Sequence, residues 1–244
     1  METEGLPGWF TDLLAHRRWI RRTRPFPHIY VRDVFVPQFH RLLTEQFERA
    51  HADSATDVPL TALPDGPLAL FLSRPWHDLI TRVSGVETCG DVEVSLHRHA
   101  ANSPRGRPRH DLSPAWFPAR SPAPGAIGLP DPAIEPRTGA RPDGMDAREL
   151  VRAVAVLFYL GNPPWRPGDG GETGLFAESG GRDPRPAVIV PPLNNSMLVF
   201  ECTPRSWHSF LGANAAARTS VAMWLHQPRE QAARRWGGDR IAEW

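Results

Sequence analysis

Trp207-His208-Ser209-Phe210-Leu211-Gly212-Ala213-Asn214 and the following Arg218-Thr219-Ser220-Val221-Ala222-Met223-Trp224-Leu225 read as two strands about a turn. Residues Trp207 to Leu211 form the first strand pattern, and Gly212-Ala213-Asn214 supplies turn residues. In the second strand the period of two puts Ser220, Ala222 and Trp224 on the face of Arg218. Two adjacent antiparallel strands of this kind bring His208 and Arg218 inside one barrel. A neutral imidazole there can donate to a metal. A guanidinium there offers a planar fork to a carboxylate. Neither residue is unusual alone, because a single histidine beside an apolar strand is ordinarily a packed one and an inward arginine is ordinarily half of an ion pair.

Working outward, strand patterns recur at Val151–Leu160, Ala187–Val190 and Ser196–Glu201. Asp91–His99 alternates, with Val92, Val94 and Leu96 on one side and Glu93, Ser95, His97 and His99 on the other. Upstream, apolar spacing in residues 9–24 predicts a short helix ended by Pro25 and Pro27. A strand follows at His28–Val31, a helix from Pro37 to about Ala50, a polar loop over 52–67 and a helix over Pro75–Val83. Residues 100–147 are rich in Pro, Gly, Arg and Asp, and so long a segment inside one domain reads as a functional lid. Gly168-Asp169-Gly170-Gly171-Glu172-Thr173-Gly174 lacks dinucleotide-loop spacing and reads as a turn with positive-φ glycines. Helices first and strands afterwards predict an α+β chain built on a β-sandwich or barrel. The expected organisation is an N-terminal helical extension (1–24), a main domain (25–227) carrying the lid at about 100–147, and a C-terminal tail (228–244).

Composition narrows the chemistry. All 28 basic residues of the 244 are arginine, so a Schiff-base lysine, pyridoxal phosphate chemistry and a Walker lysine are excluded. A formal net charge of +1 gives no footprint for nucleic acid, and no apolar run reaches membrane-spanning length. Residues 1–8 carry acids rather than a basic leader. Cys89 and Cys202 cannot form a Cys-rich zinc site, and a reducing cytoplasm is the expected compartment.

Leu157-Phe158-Tyr159-Leu160-Gly161-Asn162, Trp165, Gly170-Gly171-Glu172-Thr173, Pro191, Asn194 to Phe200, His208 and Arg218-x-Ser220 follow in one order. With the opening Phe26-Pro27-His28-Ile29-Tyr30-Val31, this order resembles the iron(II)/2-oxoglutarate dioxygenases, in particular their prolyl-hydroxylase-like branch. The resemblance covers about residues 25–227, with a gap over the long loop. It implies a double-stranded β-helix, or jelly-roll, with N-terminal supporting helices. It further implies Fe(II) held by two histidines and a carboxylate, and 2-oxoglutarate as cosubstrate. The distal carboxylate of the cosubstrate is expected on Arg218, helped by Tyr159 and Ser220.

In that family the first metal motif reads His-x-Asp. Here the matching stretch is Pro108-Arg109-His110-Asp111-Leu112-Ser113-Pro114-Ala115-Trp116-Phe117. Aligning Asp111 puts Arg109 in the histidine position, and arginine has no lone pair to donate. The other alignment makes His110, Asp111 and His208 the metal set, which requires a bulge because neighbours on a strand point to opposite faces. His97 and His99 are further donor candidates on one strand face. The activity implied is hydroxylation, or another oxidation, of an unactivated C–H bond of a small molecule, amino-acid derivative or peptide with O2. Trp116 and Phe117 are expected lid contacts. The alternatives are a two-ligand or rearranged iron centre, and a jelly-roll binding or scaffold protein with a degenerate iron site.

Overall fold

The computed structural model describes residues 3–15, 19–51, 57–63, 65–178 and 184–242. Its elements run α1 (Gly8–Thr11), β1 (Arg21–Arg22), β2 (His28–Val31), α2 (Pro37–His51), β3 (Val58–Pro59), α3 (Arg74–Ser84), β4 (Val92–His99) and β5 (Pro114–Pro118). They continue with β6 (Ala147–Tyr159), β7 (Thr173–Phe176), β8 (Val188–Val190), β9 (Ser196–Glu201), β10 (Trp207–Phe210), β11 (Arg218–Pro228) and α4 (Arg229–Trp236). A large sheet has the order β1-β2-β9-β6-β11-β4-β3, with β5 added on β6, and a small sheet has the order β10-β7-β8. Every pairing within them is antiparallel. This is the expected α+β double-stranded β-helix with supporting helices.

Alternation along the strands sorts the side chains into two cores. Val94, Leu96, Val154, Val156, Phe158, Val199, Val221 and Met223 leave the large sheet on its outer face and pack under α2 and α3. There Phe158 meets Phe35 and Phe71 at ring-centroid separations of 5.3 and 5.4 Å. Each such side chain withdrawn from water contributes about 1.5–3 kcal/mol. The opposite face carries Ala155, Tyr159, Leu198, Phe200, Ala222 and Trp224, which form a second core with Leu175 and Val190 of the small sheet. Helix α3 is fixed at both ends: the Ser73 hydroxyl accepts from the Trp76 amide, and Gly85 closes the helix at φ 69°.

Three expectations change. The strands carrying His208 and Arg218 are not neighbours: β10 pairs with β7 in the small sheet, and β11 lies between β6 and β4 in the large one. The two side chains line one cavity from opposite sheets of the sandwich. Of the helix over 9–24, only Gly8–Thr11 is helical, and Arg21–Arg22 pairs with β2; residues 16–18 lie outside the described part, as do 52–56 of the 52–67 loop. The remainder of that loop contributes β3, which pairs with β4. In the tail, α4 packs Ala232 into the second core.

The Pro-rich segment is more ordered than its composition suggests. Pro114–Pro118 adds a strand to β6, where edge prolines are tolerated. The following loop folds back on it, with the Trp116 amide donating to Pro136 O at 3.0 Å. Gly139, at φ 73°, lies flat on the Trp116 indole, where a Cβ would come within 2.4 Å of the ring. Trp116 and Phe117 are therefore not cavity contacts. The loop covers Trp116, and Phe117 is buried with Ala115 and Leu150 and against the His226 ring. Among the described residues no helix is long and apolar enough to cross a membrane.

Candidate active site

Arg218 enters the sandwich at the first residue of β11, and two asparagines fix that entry. The Asn162 side chain donates to Thr219 O at 2.9 Å and accepts from the Thr219 amide at 2.7 Å. The Asn162 amide donates to Asn194 Oδ1 at 2.9 Å, and Asn194 Nδ2 donates back to Asn162 O at 2.6 Å. The glycine loop crosses close by: a Cβ on Gly170 would lie 2.2 Å from Ala213 O, and its φ of 73° is the positive value expected of this turn. Thus the ends of β6, β9 and β11 are tied together around the base of the Arg218 side chain.

Arg218 is 5% exposed, and its guanidinium has few partners. Its Nη2 donates to Thr173 Oγ1 at 2.9 Å, and the same hydroxyl lies 2.9 Å from the Tyr159 hydroxyl. Its carbon sits 4.9 Å from the Tyr159 ring centroid and 5.4 Å from that of Phe210. Arg218 Nε, Ser220 Oγ and Ser209 Oγ are buried without a hydrogen-bond partner. No carboxylate among the described residues lies in ion-pair range of Arg218. A buried charge left this way is costly unless an anion completes it.

A cavity of about 260 Å³ runs from Arg218 and Thr173 past Phe210 to Asp111 and His208. At that end Asp111 Oδ2 lies 3.4 Å from His208 Nε2 and accepts from the Trp224 indole at 2.9 Å. His208 Nδ1 lies 3.1 Å from Ser206 O, so a proton on Nδ1 would free Nε2 as a donor atom toward Asp111. Burial pushes the Asp111 carboxyl up, but the charge and hydrogen bond of His208, with Arg152 and Arg109, outweigh it. The carboxyl is held well below the usual carboxylate range. Burial and the Arg218 charge push His99 down to about 4, where it is a neutral ring stacked 4.1 Å above Phe210. His97 lies 2.7 Å from Ser95 Oγ and 3.6 Å from Asp57.

Of the six expected site residues, the fold gathers five about one cavity or its wall: Asp111, His208, Arg218, Tyr159 and Ser220. His110 is not brought to the pair. Its ring packs edge-on against Trp207 at 4.8 Å, because it alternates away from Asp111. No group of three His, Cys, Asp or Glu side chains among the described residues is close enough to share a metal ion. Two cavity-lining side chains escaped sequence reasoning. Trp224 had a signal, since it shares the Arg218 face, whereas Thr173 was hidden in the glycine turn.

Residues 141–226 match the family model of the 2OG-Fe(II) oxygenase superfamily. That span holds Tyr159, Thr173, His208, Arg218 and Ser220 and begins after Asp111. The fold is similar to a prolyl 4-hydroxylase of Phytophthora capsici, at 22% identity over 85% of this chain and 61% of that one, with a TM-score of 0.52. This chain therefore spans less than two thirds of that relative. A Pseudomonas putida prolyl-4-hydroxylase is 16% identical over 82% and 84% of the two chains, with a TM-score of 0.50. A Trichoplax adhaerens prolyl hydroxylase, solved with a hypoxia inducible factor oxygen degradation domain peptide fragment, is 14% identical over 84% and 86%, with a TM-score of 0.53. No curated protein matches the sequence. At these identities the structural likeness speaks for the fold, and the family model speaks for the chemistry. Residues 141–226 thus match the 2OG-Fe(II) oxygenase superfamily, whose cofactors are Fe(II) and 2-oxoglutarate, and the chain carries a double-stranded β-helix similar to that of the prolyl hydroxylases.

Proposed function

We propose that the protein hydroxylates a C–H bond of a small molecule, amino-acid derivative or peptide, with O2 and 2-oxoglutarate as co-reactants. The observation that carries this reading is the buried Arg218, with Nε unpartnered, at one end of a cavity whose other end holds Asp111 and His208. The residues fit 2-oxoglutarate: Arg218 and Ser220 offer donors to its distal carboxylate, and Thr173 and Tyr159 orient the guanidinium. The Phe210 and Tyr159 rings exclude water from that ion pair and raise its strength. For Fe(II), Asp111 and His208 supply two donors, and the family's set of three does not form. When bound, the two cofactors would supply the activation of O2, which is the oxidant; 2-oxoglutarate would give two electrons and leave as succinate and CO2 while the C–H bond gives the other two and gains the hydroxyl.

A second cavity of about 660 Å³ opens beyond the first, sharing His97, His99, Arg109 and Trp224 with it. Its size suits a small substrate or one side chain of a peptide. Glu93, Asp57 and Arg137 also line it, so the substrate meets both signs of charge. Cys89 and Cys202 are free thiols, which supports a reducing compartment such as the cytoplasm.

The test is succinate formation from 2-oxoglutarate by the Fe(II)-reconstituted chain under air, screened with amino acids, peptides and small acids. Succinate that rises with one substrate class, and is lost in Arg218→Gln, supports the reading. The second reading, a carboxylate-binding jelly-roll without oxidation, is favoured by one observation, the Arg109 side chain beside Asp111. It predicts 2-oxoglutarate binding with no succinate under any condition.

A further inference from the structure

Arg109 and His208 are a directly opposed antiparallel pair outside the named strands. The Arg109 amide donates to His208 O at 3.0 Å, and the His208 amide donates to Arg109 O at 2.9 Å. Residues paired in this way project their side chains from the same face. Asp111 stands two residues beyond Arg109 and shares that face. The face therefore presents three side chains around one point, Arg109, Asp111 and His208. Asp111 and His208 touch at 3.4 Å, and Arg109 Nε lies 3.5 Å from Asp111 Oδ1. All three line the same cavity. His110 projects the other way, onto Trp207.

The third member of this triangle is an arginine, which is always protonated and has no lone pair to give. We infer that the divalent-cation site of this chain has two protein donors, Asp111 and His208, and that the Arg109 guanidinium occupies the place of a third. The inference deepens the oxygenase reading and rests on it for the identity of the metal. The Arg109 side chain is 72% exposed, so replacing it opens no hole in the core.

Co(II) is the probe, titrated by calorimetry and followed by visible absorption on the full chain. The wild-type chain binds Co(II) weakly, and His208→Ala loses that binding. Arg109→His puts an imidazole in the third place and tightens binding about tenfold or more, within the range by which a site's supporting groups change affinity. Arg109→Gln removes the charge without adding an imidazole and changes affinity by less than about threefold, as for an exposed charge. His110→Ala binds like the wild type. The inference is overturned if Arg109→Gln matches Arg109→His, if His110→Ala weakens binding as His208→Ala does, or if the wild-type chain binds no Co(II). Binding of 2-oxoglutarate is measured in parallel. If it depends on Arg218 while Arg109→His gains nothing, only the two-donor inference falls; if the chain binds no 2-oxoglutarate, the oxygenase reading falls whatever cobalt does.

Discussion

The two ends of the cavity are built differently. The Arg218 end rests on regular strands, with β11 hydrogen-bonded on both sides and Asn162 and Asn194 locking its first residues. The Asp111 end rests on irregular backbone: an isolated Arg109–His208 bridge and one bond from the Gly106 amide to Phe210 O tie the Pro-rich segment to β10. The first end presents buried donors without a protein acceptor, Arg218 Nε and Ser220 Oγ among them, as the proposed cosubstrate would require. The second has a donor pair and a cation where another donor is expected. Within one cavity, then, the demand for an acidic cosubstrate is met more fully than the demand for a metal.

The largest effect that could break this contrast comes from the metal end. Asp111→Ala should abolish Co(II) binding, at least a hundredfold by calorimetry, because it removes one of only two donors and leaves the Trp224 indole unpaired. Next, Arg218→Met should lower 2-oxoglutarate affinity about 10–100-fold, the worth of a charge-assisted pair of roughly 1.5–3 kcal/mol. The same variant should melt no lower than the wild type without ligand, since a buried charge lacking an ion partner is replaced by an apolar side chain. A clear loss of Tm in ligand-free Arg218→Met would make that arginine structural. Asn162→Ala should cost about 1–3 kcal/mol in denaturant unfolding, because buried Thr219 backbone groups lose their partners. Smallest, Ser73→Ala should cost about 1 kcal/mol through the α3 cap and leave 2-oxoglutarate affinity unchanged, as befits a site outside the cavity.

Sequence legibility follows the same division. Alternation in Val92–His99 was readable because a strand with one apolar face must obey a period of two; Arg218–Leu225 is buried on both faces, and there the same period only sorts which residues share the Arg218 face. His208 and Arg218 were recognisable, but their route to one cavity was not, since a short turn looks alike whether strands stay in one sheet or cross to the other. β5 and β7 were hidden by Pro114, Pro118 and Gly174, residues that punctuate chains and are tolerated here at a sheet edge and beside Leu211 and Phe176. The bulge invoked to make His110 a ligand is not what the backbone does. Simple alternation keeps Arg109 with Asp111, and a residue-by-residue reading of that tripeptide already contained both outcomes.

The central claim is that one dicarboxylate spans from the Arg218 guanidinium to a cation held by Asp111 and His208. Two ligands sharing a bridge must raise each other's affinity by the same factor. The direct measurement is 2-oxoglutarate affinity with and without saturating Co(II), in the wild-type chain and in Asp111→Ala. The account predicts tighter 2-oxoglutarate binding with Co(II) in the wild type, a matching gain in Co(II) affinity with 2-oxoglutarate, and neither gain in Asp111→Ala. Equal 2-oxoglutarate affinity with and without the cation would mean that the two ends of the cavity do not act on one molecule.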